Sequence, residues 1–198
     1  MEALLHIDLM ELAKTAGYIG LFLIIFAESG LFFGFFLPGD SLLFTVGLLA
    51  SQGFFNIWWV CALTILGAFI GDQVGYTFGN KIGPKIFKKE DSFWFKKEYI
   101  KKAENFYAQY GKKTIILARF IPVVRTFAPI LAGVGNMPRK TFSAYNIIGA
   151  LVWGGGVTLL GYFLGEWIPN IDKYLFPIIL GIIFLSFVPA VFSFFKHK

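Results

Sequence analysis

Five ionisable residues stand inside strongly apolar segments of this sequence: Glu28, Asp40, Asp72, Arg119 and Arg125. On membrane-insertion scales, each costs about 2.5–3.5 kcal/mol at the centre of a spanning helix. Glu28 and Asp40 belong to one half of the chain, and both arginines belong to the other. The pattern predicts that the acids face the arginines or a wet interior, and buried salt bridges that only lock the fold are the simplest outcome.

The arginines also suit a phosphate group. Arg125 lies at the start of a predicted helix, where the helix dipole disfavours a cation unless an anion is near. Backbone N–H groups at that start, the hydroxyl of Thr126 and the planar forks of Arg119 and Arg125 could together hold one phosphate. This group of residues therefore predicts a site for an anionic headgroup.

Two acids have a separate interpretation. Glu28 would change its protonation state as a neighbouring arginine moves closer or farther away, so proton coupling is physically possible. Asp72 lies eight residues before Asn80, where its apolar segment ends. It would either line an inner gate or reach interfacial water, and the sequence leaves both alternatives open.

The composition sets the class of protein. The chain has 198 residues, 57% of them hydrophobic and only 15% charged, and its mean hydropathy is +0.68. Soluble domains carry about 25% charged residues, so an all-α integral membrane protein is predicted. A single cysteine and two histidines near the chain ends exclude a disulfide framework and make a His-dependent phosphatase or metal enzyme improbable. We expect no cofactor, no metal and no nucleic-acid partner.

Two apolar segments, 17–53 and 114–140, are interrupted centrally by Pro38 and Pro122. Their short arms of 10 or 11 residues would measure roughly 15–17 Å, too little to cross a bilayer. We therefore predict two re-entrant helical hairpins that enter from opposite faces and turn at mid-depth. Pro38, Gly39 and Pro122 would form the turns, and Asp40 would cap the returning helix. The first arm, 17–36, is long enough for a full crossing, which stays an open alternative.

The remaining segments predict about three full transmembrane helices, at 54–80, 142–168 and 174–195. The segment 81–113 contains ten lysines and four acids, a net charge of +6. By the positive-inside rule this segment is cytoplasmic, and its aromatic spacing favours an amphipathic helix on the membrane surface over a solvated linker. The acidic segment 1–16 would then lie outside as part of the mature fold, and the C-terminus inside.

The two halves repeat one pattern. Pro38 precedes the sequence GYTFG at 75–79, and Pro122 precedes GYFLG at 161–165, at similar distances. Interrupted segments at corresponding positions of inverted halves point to a central transport site. Glycines also recur every four residues on one face of the 54–80 helix, which indicates close helix packing.

Four motifs resemble the DedA family of bacterial inner-membrane proteins, which is related to the eukaryotic VTT-domain lipid scramblases. They are FFLPGDSLL after Glu28, GDQVGYTFG at 71–79, RFIPVVRTFAPILAG at 119–133 and NIIGALVWG at 146–154. The resemblance implies two opposed re-entrant loops, a bacterial cytoplasmic membrane location and movement of lipids between leaflets. Family members are associated with undecaprenyl phosphate recycling and phosphatidylethanolamine transport, and some with proton coupling. The family's essential acids and arginines correspond to Glu28, Asp40, Arg119 and Arg125.

The sequence thus favours a translocase for undecaprenyl phosphate, with membrane lipids as partners and a homo-oligomer possible. The alternatives are a scramblase for phosphatidylethanolamine or other phospholipids, and a proton-coupled exchanger of small solutes or a purely structural membrane factor. An enzyme with Glu28 as base and Ser41 or Thr126 as nucleophile is disfavoured. The arginines lack an accompanying serine cluster, and the carboxylate beside Ser41 would repel a diphosphate.

Overall fold

The computed structural model describes residues 9–31, 34, 37, 39–86, 107 and 111–167. In this part of the chain every regular element is a helix. The helices are α1 (Leu9–Gly30), α2 (Gly39–Ser51), α3 (Ile57–Ile86), α4 (Thr114–Ala118), α5 (Pro122–Val134), α6 (Arg139–Ala150) and α7 (Gly156–Trp167), and a π-helical turn (Leu151–Gly155) joins α6 to α7.

Among the described residues, two helical stretches are long and apolar enough to cross a membrane: α3, and the continuous run from α6 through the π turn to α7. They pack side by side and antiparallel. The hydroxyl of Thr64 donates to the carbonyl of Gly154 at 3.3 Å, and the amide of Gln73 donates to the hydroxyl of Ser143 at 2.8 Å. At 1.5 Å per residue, each stretch is about 45 Å long.

The first half of the chain turns back halfway along α3, between the end of α1 and the start of α2. Tyr18, in the first half of α1, lies beside the start of α3, where the backbone N–H of Asn56 donates to its hydroxyl at 2.8 Å. At the end of α1, Gly30 packs directly against Gly71, about 21 Å into α3. Helix α2 then returns along α7. The 13 residues of α2 measure about 20 Å, less than the roughly 30 Å of a hydrocarbon core.

Each returning short helix packs on the long helix of the other half. Helix α2 lies on α7, and α5 lies on α3. The contacts are backbone to backbone: Gly79 faces the carbonyl of Ile130, Gly133 faces that of Tyr76, and Gly161 faces that of Phe44, with no room for a Cβ atom at any of the three glycines. The glycine face of α3, interpreted from sequence as a packing surface, is confirmed as one.

Three exposed tryptophans, Trp58, Trp59 and Trp167, lie at the same end of the antiparallel pair. At the opposite end, Tyr107 is half-buried and its hydroxyl donates to the carbonyl of Ala128 at 2.7 Å. Burial raises the pKa of the Tyr107 phenol, so this group is a neutral donor at physiological pH. Tyr107 thus contacts α5, although the sequence places it on a membrane-surface helix.

Several predictions fall outside the described residues. They concern the first half of the acidic segment 1–16, most of the basic segment 81–113, the last span at 174–195, and Pro38.

Candidate functional site

Three of the ionisable residues meet where the short helices turn. Glu28 lies near the end of α1 and is fully buried, Asp40 lies in the first turn of α2, and Arg125 lies in the first turn of α5. The guanidinium of Arg125 forms an ion pair with Glu28, and a second with Asp40 at 3.0 Å. The expected meeting of acids from one half with an arginine from the other is observed here.

The Glu28 side chain also caps the N-terminus of α2. Its Oε1 accepts a hydrogen bond from the backbone N–H of Gly39 at 3.0 Å, as a capping side chain does. A Cβ atom on Gly39 would overlap the Glu28 carboxylate, so glycine is required for this approach. The sequence assigned this cap to Asp40. The structure gives it to Glu28, because the Asp40 carboxylate is turned toward Arg125 and Trp153.

Trp153 contacts both Asp40 and Arg125. Its indole N–H donates to Asp40 Oδ1 at 2.7 Å, and the Arg125 guanidinium lies 4.8 Å from the centre of its ring. Both distances allow a favourable contact, a hydrogen bond to a carboxylate and a cation–π interaction. Trp153 lies in the π turn, and such turns are frequent at functional sites.

Arg119 forms a second buried pair. Its Nη2 donates to Asp72 Oδ2 and to Asn146 Oδ1, both at 2.5 Å, and to the carbonyl of Ala68 at 3.3 Å. The Asn146 amide is fixed in turn, because its Nδ2 donates to the carbonyl of Phe69 at 3.1 Å. The sequence predicted Glu28 and Asp40 as the partners of Arg119, whereas the structure pairs Arg119 with Asp72.

Asp72 is therefore an ion-pair partner within the protein. It is 3% exposed, so the interpretation that it reaches interfacial water is wrong. Gly149 gives the neighbouring guanidinium its space, since a Cβ atom there would come within 2.8 Å of the Arg119 side chain.

The site retains unused hydrogen-bonding capacity. In the described part of the chain four buried polar atoms have no hydrogen-bond partner: Glu28 Oε2, Arg119 Nε, Arg125 Nε and Thr126 Oγ1. Buried polar atoms of this kind are uncommon, and they mark positions for water, an ion or a ligand. Three of the four can donate a hydrogen bond, which suits an anion. Within the described ranges, no group of His, Cys, Asp or Glu side chains could hold a metal ion.

Asn146 and Trp153 contact this site, and sequence reasoning did not select them as site residues. Both lie inside the apolar segment 142–168. A buried amide and a buried indole each need a hydrogen-bond partner. The polar groups of Asn146 and Trp153 were therefore the signal by which these two residues could have been selected. Both belong to the motif NIIGALVWG, which was interpreted only as evidence of the family.

The fold and the site define a helical membrane protein with a buried cluster of opposite charges. A family model described as the VTT domain matches residues 37–163, a range that includes Asp40, Asp72, Arg119, Arg125 and Trp153 but begins after Glu28.

Named relatives agree with that match. Protein DedA of Escherichia coli (strain K12) is 46% identical over 205 residues, covering 100% of this chain and 93% of the relative. A membrane protein of Mycobacterium leprae, described as uncharacterized, is 48% identical over 170 residues, covering 86% of this chain and 76% of its own. The inner membrane protein YqjA of Escherichia coli (strain K12) is 32% identical over 176 residues, 89% of this chain and 80% of its own. The chain belongs to the VTT-domain (DedA) family of membrane proteins. No solved structure matches it.

Proposed function

We propose that this protein moves undecaprenyl phosphate between the leaflets of the bacterial cytoplasmic membrane, for reuse of the carrier lipid. The observation that carries the proposal is the buried ion pair of Arg125 with Glu28 and Asp40, which joins the two halves of the chain. A guanidinium that already binds carboxylates has the geometry to bind a phosphate, because its planar fork matches both groups.

The height of the cluster supports re-entrant hairpins. The Glu28 end of α1 lies beside Gly71, halfway along α3. Helices α2 and α5 are each about 20 Å long and start at this level. With α3 across the bilayer, the charges lie near mid-depth, where irregular backbone is tolerated only if protein or water covers it. We propose that the hairpins enter from opposite faces, with the N-terminus outside and the basic segment inside.

The cluster has an accessible side. The Asp40 side chain is 43% exposed, whereas those of Glu28 and Arg125 are 0% and 5% exposed. A lipid headgroup would therefore approach along Asp40, with its polyprenyl tail left in the bilayer. Thr126, the residue after Arg125, has a buried hydroxyl without a partner among the described residues and would donate to a phosphate oxygen.

In the proposed mechanism, Arg125 exchanges partners. The arriving phosphate takes the guanidinium from Glu28 and Asp40. A buried carboxylate that loses its cation is costly, so Glu28 takes up a proton as Arg125 leaves it. Release of the headgroup on the other side returns Arg125 to Glu28 and expels the proton. In this scheme the proton enters Glu28 from the side on which the lipid binds and leaves on the side on which the lipid is released, so proton and lipid move together without a cofactor.

A phosphatidylethanolamine scramblase is the second candidate. The observation in its favour is that three carboxylates, Glu28, Asp40 and Asp72, pair with only two guanidiniums. A zwitterionic headgroup would place its ammonium against the surplus acid and its phosphate against an arginine.

We propose further that the protein is not an enzyme. Hydrolysis through a side-chain nucleophile needs a base within hydrogen-bond reach of a hydroxyl. The described contacts of Glu28 Oε1 are with Gly39 and Arg125, and Thr126 Oγ1 has no partner among the described residues. This arrangement does not support a Glu28–Thr126 pair.

The proposal is tested by leaflet exchange in liposomes that contain the purified protein. Undecaprenyl phosphate, phosphatidylethanolamine and phosphatidylcholine are supplied separately, and exchange is followed for the wild type, Arg125→Gln and Asp40→Asn. Lys140→Gln is the control, because it removes an exposed charge from α6 outside the cluster.

We expect the wild type to exchange undecaprenyl phosphate much faster than phosphatidylcholine. Both cluster variants should lose that exchange, and Lys140→Gln should keep it. Equal exchange of all three lipids, or release of inorganic phosphate from a pyrophosphorylated lipid, would contradict the proposal. Selective exchange of phosphatidylethanolamine would favour the second candidate.

A further inference from the structure

An open groove of 390 Å³ runs along one face of α3 and is bordered by Arg139 at the start of α6. Its apolar wall is formed by Ile70, Val74 and Phe78, which follow one another every four residues on α3 and are 39%, 42% and 52% exposed. None of the residues of the buried charge cluster lines it. The groove is therefore a feature separate from the charge cluster.

Two cations stand at one end of this groove. Lys81 lies at the end of the apolar wall, and Arg139 lies opposite it at the first position of α6. Both are exposed. The start of α6 adds partial positive charge, because no described side chain caps its first backbone N–H groups.

The dimensions match one leaflet of a bilayer. From Ile70 to Lys81 the helix rises about 17 Å, against about 15 Å for half of a hydrocarbon core. The cations then lie at the headgroup level, and the apolar wall runs inward to mid-depth. A basic pocket between transmembrane helices with an apolar continuation suits an anionic lipid headgroup and its chain.

We propose that this groove binds one anionic phospholipid from the surrounding leaflet, with its phosphodiester against Lys81 and Arg139 and one acyl chain along Val74 and Phe78. A second copy of this chain fits less well. A two-fold axis along the membrane normal would bring the same cations of both copies toward each other, and like charges repel.

The test is lipid binding to the detergent-purified full chain, followed by native mass spectrometry. The probes are phosphatidylglycerol and phosphatidylcholine with identical acyl chains. The variants are the double substitution Lys81→Gln/Arg139→Gln, and Val74→Trp, which fills the groove at an exposed position. Lys140→Gln is the matched control, because it removes the neighbouring charge of α6, which does not line the groove.

We expect one phosphatidylglycerol to bind more tightly than phosphatidylcholine. Each cation near a membrane surface is worth about a fivefold change in Kd, so the double variant should bind about thirtyfold more weakly. Val74→Trp should also weaken binding, and Lys140→Gln should leave it within about twofold.

Equal affinity for the two lipids, or a loss in Lys140→Gln as large as in the double variant, would overturn the inference. So would a Val74→Trp protein that keeps its lipid but changes from oligomer to monomer, because the groove would then be an interface between copies. This assay measures binding alone, so its failure is distinct from a failure of lipid translocation.

Discussion

Replacing Gly39 by alanine perturbs the charge cluster without altering any charge. The backbone N–H of Gly39 donates to Glu28 Oε1 at 3.0 Å, and the added methyl group would occupy the position of the Glu28 carboxylate. The carboxylate must therefore retreat. In doing so it gives up the hydrogen bond and separates from Arg125, with which it forms a buried ion pair.

The magnitude follows from these two contacts. A hydrogen bond to a charged group contributes about 1.5–3 kcal/mol, and breaking a buried ion pair costs about 3–5 kcal/mol. The two losses do not add, because they belong to one carboxylate and because Arg125 keeps Asp40 as a partner. Alanine regains up to about 1 kcal/mol of backbone entropy. We expect Gly39→Ala to lower the free energy of unfolding by about 2–4 kcal/mol.

The assay is equilibrium unfolding in mixed detergent micelles, together with leaflet exchange. Gly20→Ala is the control, because no neighbouring atom lies within 4 Å of a Cβ atom at that helical position. It should be neutral or more stable by about 0.5–1 kcal/mol. Adding Glu28→Asp to Gly39→Ala shortens the acid by one methylene and should restore part of the stability. If Gly39→Ala unfolds no more easily than Gly20→Ala, the proposed contact of Glu28 with the α2 start is wrong.

The remaining predictions concern the second ion pair, the indole and the helix contacts. Asp72→Asn leaves the Arg119 cation without an anionic partner and should lower the free energy of unfolding by about 3–5 kcal/mol. Combining Asp72→Asn with Arg119→Met should cost less than the single change. An equal or larger cost of the double variant would contradict the pairing. Trp153→Phe keeps an aromatic ring beside Arg125 but removes the donor to Asp40, and we expect a loss of about 1–2 kcal/mol in the same unfolding measurement, with no loss arguing against that bond. Gly79→Ala should destabilise by about 1–3 kcal/mol because its methyl group meets a backbone carbonyl of α5, and the matched change Gly156→Ala, where the space is open, should not.

The sequence was sufficient to predict that Glu28 and Asp40 meet an arginine of the other half, but it did not distinguish Arg125, which does so, from Arg119, which pairs with Asp72. Opposite charges in apolar surroundings have few stable arrangements, so a partner from the other half was the expected solution. The interrupted helices could also be predicted, because proline and chain length limit what a segment can span.

Other contacts depend on packing that no local pattern specifies. Arg119 pairs with Asp72 while its side chain lies directly against Gly149, a close approach that has no signal in the sequence. Trp153 reaches Asp40 from a π turn, whose one-residue shift of register has no reliable sequence signal. The cap supplied by Glu28 reaches across eleven residues of chain, beyond any capping motif.

The helix ends differ from the hydropathy limits for a similar reason. Helix α1 begins at Leu9, ahead of the apolar segment at 17, and α3 continues to Ile86, beyond 80. Hydropathy measures which residues tolerate lipid, whereas a helix continues wherever backbone hydrogen bonds can form. Charged residues at the ends of spanning helices are compatible with both.

The most direct test of the partner exchange at Arg125 is the Kd of undecaprenyl phosphate for two purified variants, Glu28→Gln and Arg125→Gln. Glu28 and the lipid phosphate compete for one guanidinium in this account. Glu28→Gln should therefore bind the lipid more tightly than the wild type, by about tenfold or ~1.4 kcal/mol, while Arg125→Gln should lose binding. If Glu28→Gln weakens binding as much as Arg125→Gln does, or if Arg125→Gln binds like the wild type, the exchange of carboxylate for phosphate does not occur.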